Sequence, residues 1–90
     1  MISIWKFILD RPSNFFGEFT VKMPTGSKPL SAGLQGDTLC IWAEVNTDAE
    51  MIDKQFIIIG TGKELTGEEG SFIDTIFQGP FVWHVYQKAV

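Results

Sequence analysis

One cysteine, one histidine and no apolar run long enough to cross a bilayer set the first limits on this 90-residue chain. With Cys40 alone no intramolecular disulfide can form, which suits a reducing compartment. Cys40 and His84 together cannot furnish an ordinary structural zinc site. A basic surplus is missing too: seven Lys and Arg stand against eleven Asp and Glu, for a net charge of −4. Affinity for a nucleic-acid backbone comes mainly from counterions displaced by a basic surface, so a nucleic-acid polymer is not an expected partner. A small anion held in a local pocket remains compatible with this charge. The amino terminus runs straight into Met-Ile-Ser-Ile-Trp-Lys-Phe without the basic head and long apolar body of an export signal, so the expected location is the cytoplasm.

Apolar and aromatic side chains are abundant. The chain is 44% hydrophobic, with eight Phe, three Trp and one Tyr, more aromatic area than the core of one small domain easily hides. Part of it is expected at a subunit interface or in a pocket. The length fits one domain over residues 1–90, and no repeat, linker or low-complexity run divides it.

No segment sustains helical periodicity, whereas period-two patterns recur. Ile2 to Leu9 reads as a strand, with Ile2, Ile4, Lys6 and Ile8 on one partly buried face, and ends at the turn formers Asp10 to Asn14. Glu18 to Met23 alternates cleanly, Phe19, Val21 and Met23 sharing a side. Pro24 to Pro29 is a loop on composition. Leu30–Gln35 and Thr38–Val45 form a hairpin over Gly36-Asp37, and the second strand turns Leu39, Ile41, Ala43 and Val45 to one face. Asn46 to Asp53 is oxygen-rich but lacks calcium-loop spacing, so it reads as a solvated connector or one helical turn. Phe56 to Ile59 is an unbroken apolar run suited to a central strand buried on both faces. Glu64 to Gly70 reads as a mobile acidic loop, and Ser71–Gln78 and Phe81–Gln87 as a hairpin over Gly79-Pro80. The expected fold is all-β: a small single-domain barrel or sandwich of about seven short, mainly antiparallel strands.

The central strand runs into Gly60-Thr61-Gly62-Lys63. Two glycines framing a hydroxyl, with a lysine next, allow turn amides to converge on an anion. The spacing is not that of a phosphate-binding P-loop, and an ordinary strand-terminating turn is the competing reading. Trp5, Trp42 and Trp83 could stack a base or anchor a core or interface, and Trp42 shares its face with Thr38, Cys40 and Glu44. His84 is expected to be hydrogen-bonded and half-buried, and Cys40 to be inert packing. Ser71, Asp74 and His84 could be assembled into a triad only on paper, without a nucleophile-elbow context, so the chain is read as a non-enzyme with no cofactor.

Ile-Trp-Lys-Phe at 4–7, Met-Pro-Thr-Gly at 23–26, Leu-Cys-Ile-Trp-Ala-Glu-Val at 39–45, Ile-Gly-Thr-Gly at 59–62 and Val-Trp-His-Val-Tyr at 82–86 together resemble a family of small uncharacterised proteins encoded mainly by bacteriophages and prophages. Small dispensable phage proteins are often counter-defence factors, and the chain is similar to the anti-CBASS sponges, oligomers that sequester cyclic nucleotides used in bacterial immune signalling. The resemblance implies a homo-oligomer, dimer or tetramer, in the host bacterial cytoplasm, binding a cyclic dinucleotide or related small anionic nucleotide without catalysis. In that setting Arg11, Lys28 and Lys63 contact phosphates, the amides around Gly60 and Gly62 and the Thr61 hydroxyl donate to oxygens, and Trp5 or Trp42 stacks a base. Two alternatives stay open: an inhibitor of a host protein that uses Phe15, Phe16 and Trp83 as hot spots, and a minor virion or assembly component.

Overall fold

A computed structural model of the chain describes residues 1–9 and 17–88. Among these the strands are β1 (Ile2–Ile8), β2 (Gly17–Pro24), β3 (Lys28–Gln35), β4 (Thr38–Asn46), β5 (Met51–Gly60), β6 (Ser71–Gln78) and β7 (Phe81–Gln87), with no helix. They form two antiparallel sheets, β1-β4-β3 and β2-β5-β7-β6. The fold is all-β and sandwich-like, not a closed barrel. Where β3 meets β6 no ladder joins them, and the Asp74 carboxylate accepts the Ala32 amide at 3.1 Å instead.

The alternation in each strand decides what is buried. Leu39, Ile41, Ala43 and Val45 of β4 all face inward and are fully buried. Leu39 and Ile41 share one core cluster with Phe19 and Met23 of β2, Phe56 and Ile58 of β5, Ile76 of β6 and Val85 of β7 from the other sheet. Burial of such side chains is worth about 1.5–3 kcal/mol each before conformational entropy is counted, so this shared layer holds the two sheets together. Cys40 is free and buried, as expected of a packing residue. β5 is an inner strand between β2 and β7, with Phe56 and Ile58 in the core. On its outer face Ile59 is buried and Ile57 only half-buried, so the expected two-sided burial is incomplete.

Two loop assignments need correction. Met51 to Asp53 are not connector: they begin β5, pairing with β2 from Met51↔Pro24 to Asp53↔Lys22. Asp53 is an outward position of an alternating strand and pairs with Lys22 across the ladder at 2.8 Å. The stretch Pro24–Pro29 is likewise shorter as a loop, because β2 runs through Pro24 and β3 starts at Lys28. Both prolines are tolerated because each lies on an edge strand, and a register shift follows Pro29.

Candidate ligand cleft beside the β5 turn

β5 delivers Gly60-Thr61-Gly62-Lys63 as a tight turn closed by the Lys63 amide donating to the Gly60 carbonyl at 3.2 Å. Gly62 has φ +93° at the third position, the left-handed conformation that a type II turn requires there. The Thr61 amide donates to the Val82 carbonyl at 3.1 Å. Its hydroxyl lies 2.8 Å from His84 Nε2 and 3.2 Å from the same carbonyl. Two amides of the expected anion nest are thus taken by peptide carbonyls, because β7 lies alongside the end of β5. The Gly62 amide has no backbone partner among the described residues.

Beside this turn lies a cleft of about 240 Å³, lined by Ile59, the turn itself, Leu65, His84 and Tyr86. The ladder explains its make-up: His84 pairs with Ile59 and Tyr86 with Ile57, so all four side chains share the outer face of the sheet. His84 bridges two hydroxyls, its Nδ1 lying 3.1 Å from Thr75 Oγ1. A neutral imidazole offers one donor and one acceptor, and each threonine hydroxyl can supply the complement. Tyr86 is held edge-on by Phe72, with centroids 5.5 Å apart and planes at 73°. Lys63 stands at the junction of this cleft and a second one, of about 280 Å³, that carries Glu18, Glu64, Glu68, Glu69 and Lys88. Across the turn a third cleft, of about 350 Å³, is walled by Phe81 stacked on Trp83 at 5.8 Å.

The other residues singled out in the sequence lie elsewhere. Arg11, Phe15 and Phe16 fall outside the described residues. Trp5 is on the inward face of β1, opposite Ala43. Lys28 starts β3 opposite Glu44. Trp42 lies on the outer face of β4, its indole beside Gly33, where an added Cβ would sit in ordinary van der Waals contact at 3.9 Å. Trp5, Lys28 and Trp42 belong to the three-stranded sheet, and none lines the clefts around the turn. Trp83 is half-buried against the core, with its indole N–H donating to Gln78 at 3.1 Å. The paper triad does not assemble, since the Asp74 carboxylate accepts the Ala32 and Thr75 amides while His84 faces threonines. Tyr86 and Leu65 were not legible as cleft residues; the β5–β7 pairing that brings Tyr86 in joins segments distant in sequence.

The loop after the turn is less free than its composition suggests. Glu69 is buried and accepts the Thr66 amide at 2.7 Å, the Thr66 hydroxyl at 2.9 Å and the Gly67 amide at 2.9 Å. The Thr66 amide, opposed in part by desolvation, holds its carboxyl below the ordinary carboxylate range. A depressed folded-state pKa means that Glu69 contributes its full stabilisation above its unfolded value and loses it as pH falls through the lowered one. The amide resonances of Thr66 and Gly67 should therefore titrate together with a midpoint below that of an unperturbed glutamate. A midpoint at or above the ordinary value would contradict the bonding described.

A family model described as a domain of unknown function matches residues 1–90. No curated protein and no solved structure matches the chain significantly.

Proposed function

The chain belongs to the DUF7352 family, a domain of unknown function, and we propose from its own geometry that it is a non-catalytic binder of a small anionic nucleotide at the β5 turn. The observation that supports this reading is the meeting, in one cleft, of Lys63, the Thr61–His84 pair and Tyr86, against a turn whose two glycines add no side chains to the wall. Lys63 and the Gly62 amide suit a phosphate, the first by charge and the second as an available donor. Tyr86, oriented by Phe72, offers a ring on which a base can stack. His84 is engaged by Thr61 and Thr75, and the Asp74 carboxylate by the Ala32 and Thr75 amides, which supports a holding role for these side chains. On this reading two copies of the chain share a cyclic dinucleotide, each contributing one such cleft. The resemblance to anti-CBASS sponges supplies the biological use: sequestration of a cyclic-nucleotide immune signal by a phage protein in its host.

Calorimetry against a panel of cyclic nucleotides tests this. One ligand per two chains is expected, with Lys63→Ala weakening binding about tenfold or more, as loss of a charge-assisted contact should. Absence of heat with every member of the panel ends the reading.

A second reading, inhibition of a host protein, has its own observation. Phe72, Phe77 and Phe81 of the β6–β7 hairpin are all more than half exposed. A single host protein recovered in stoichiometric amount, and lost with Phe77→Ser, would favour it.

A further inference from the structure

We propose that β1 is a subunit interface, at which two copies of the chain pair antiparallel through their β1 edges about a two-fold axis at Trp5. The inference does not depend on the nucleotide reading. Among the described residues four strands lie at sheet edges, and three of them are guarded. β2 carries Pro24 and the ion-paired Glu18 and Lys22, while β3 and β6 each have a register shift and abut one another. Bulges, prolines and charges are the usual means of preventing edge pairing. β1 has a regular register throughout, no proline, and Lys6 as its one charged side chain.

The hydrogen-bond phase of β1 identifies what its edge offers. At its two ends the Leu9 amide donates to the Leu39 carbonyl at 2.9 Å, and the Thr47 amide donates to the Met1 carbonyl at 2.8 Å. Odd-numbered residues therefore direct their backbone groups into β4, and the N–H and C=O groups of Ile2, Ile4, Lys6 and Ile8 point away from it. One antiparallel register satisfies all four in both copies: Ile2 opposite Ile8 of the second copy, and Ile4 opposite Lys6. Shifting by two residues in either direction leaves an isoleucine unpaired at each end.

The side chains agree with that register. Ile2, Ile4 and Ile8 are 64%, 62% and 54% exposed on the outer face, and the pairing sets Ile2 beside the second copy's Ile8. Lys6, whose ammonium donates to Gln35 of its own chain at 2.7 Å, then lies in the row of Ile4 of the other copy, its charge kept at the solvent face. Trp5, also partly exposed, meets its own counterpart across the axis as a non-hydrogen-bonded pair, where side chains approach most closely. Its partial exposure in the single chain, and part of the aromatic surplus, follow from this placement.

Two variants test the interface by sedimentation and cross-linking. Ile4→Pro removes an edge donor without touching the β4 ladder, and is expected to raise the dimer dissociation constant at least about tenfold. In a Cys40→Ala background, Trp5→Cys is expected to form an intermolecular disulfide on oxidation, whereas Phe7→Cys, placed opposite Ser3, is not. A wild-type chain that stays monomeric at high concentration overturns the proposal. So does a dimer indifferent to Ile4→Pro, or cross-linking from Phe7→Cys in preference to Trp5→Cys.

Discussion

Replacing Gly70 with alanine is expected to destabilise the chain by about 3 kcal/mol or more, a large share of the ~5–15 kcal/mol typical of a domain. Gly70 adopts φ +102°, where an L side chain is strained, and a Cβ built there would lie 2.0 Å from the Gln87 carbonyl oxygen and 2.9 Å from Lys88 Cα. Those neighbours are backbone, so relief requires moving β7 and not merely rotating a side chain. The first pair of the β6–β7 ladder is Ser71↔Gln87, immediately beside the clash, and Tyr86 is the next residue back along β7. The substitution should therefore lower the denaturant midpoint and also disturb the cleft. A Gly70→Ala chain with unchanged midpoint would show that the approach of the two segments is looser than described.

Phe56→Ala is expected to cost about 3–5 kcal/mol, the usual range for deleting a fully buried phenyl ring. Phe56 has no exposed surface, and it faces Phe19 on one side and Gln87 on the other from the middle of the four-stranded sheet. Both neighbouring strands lose packing when the ring is removed, and partial collapse cannot fill the space from one side alone. Ile57→Ala on the outer face of the same strand should cost clearly less, because Ile57 is half-buried. Equal losses at the two positions would mean that the outer face is packed as a second core.

The contrast between those residues shows how far the sequence could be read. The clean alternation of β4 and of Phe19 to Met23 revealed strands and their inward faces, because one face of each is wholly apolar. The same logic failed at Met51 to Asp53, where Ile52 stands between the outward Met51 and Asp53 and the oxygen-rich composition hid a strand start. Sheet order was beyond reach, since β5 pairs with β2 and β7, neither of them its neighbour in sequence. That also explains the partial legibility of the site. The glycine turn and Lys63 stood out locally, but the destination of the Thr61 amide depends on a carbonyl at Val82, and Tyr86 reaches the cleft only through the β5–β7 ladder. The lone histidine behaved as its setting suggested, held between two hydroxyls.

Whether a nucleotide occupies the hollow walled by Lys63, His84 and Tyr86 is asked most directly by backbone amide chemical-shift mapping during titration with a cyclic dinucleotide. The largest perturbations should fall on Gly62, Lys63, Leu65, His84 and Tyr86, with Gly33 and Trp42 of the other sheet unmoved. Saturating ligand that shifts nothing at these positions, or that shifts the Trp42 face instead, would contradict it.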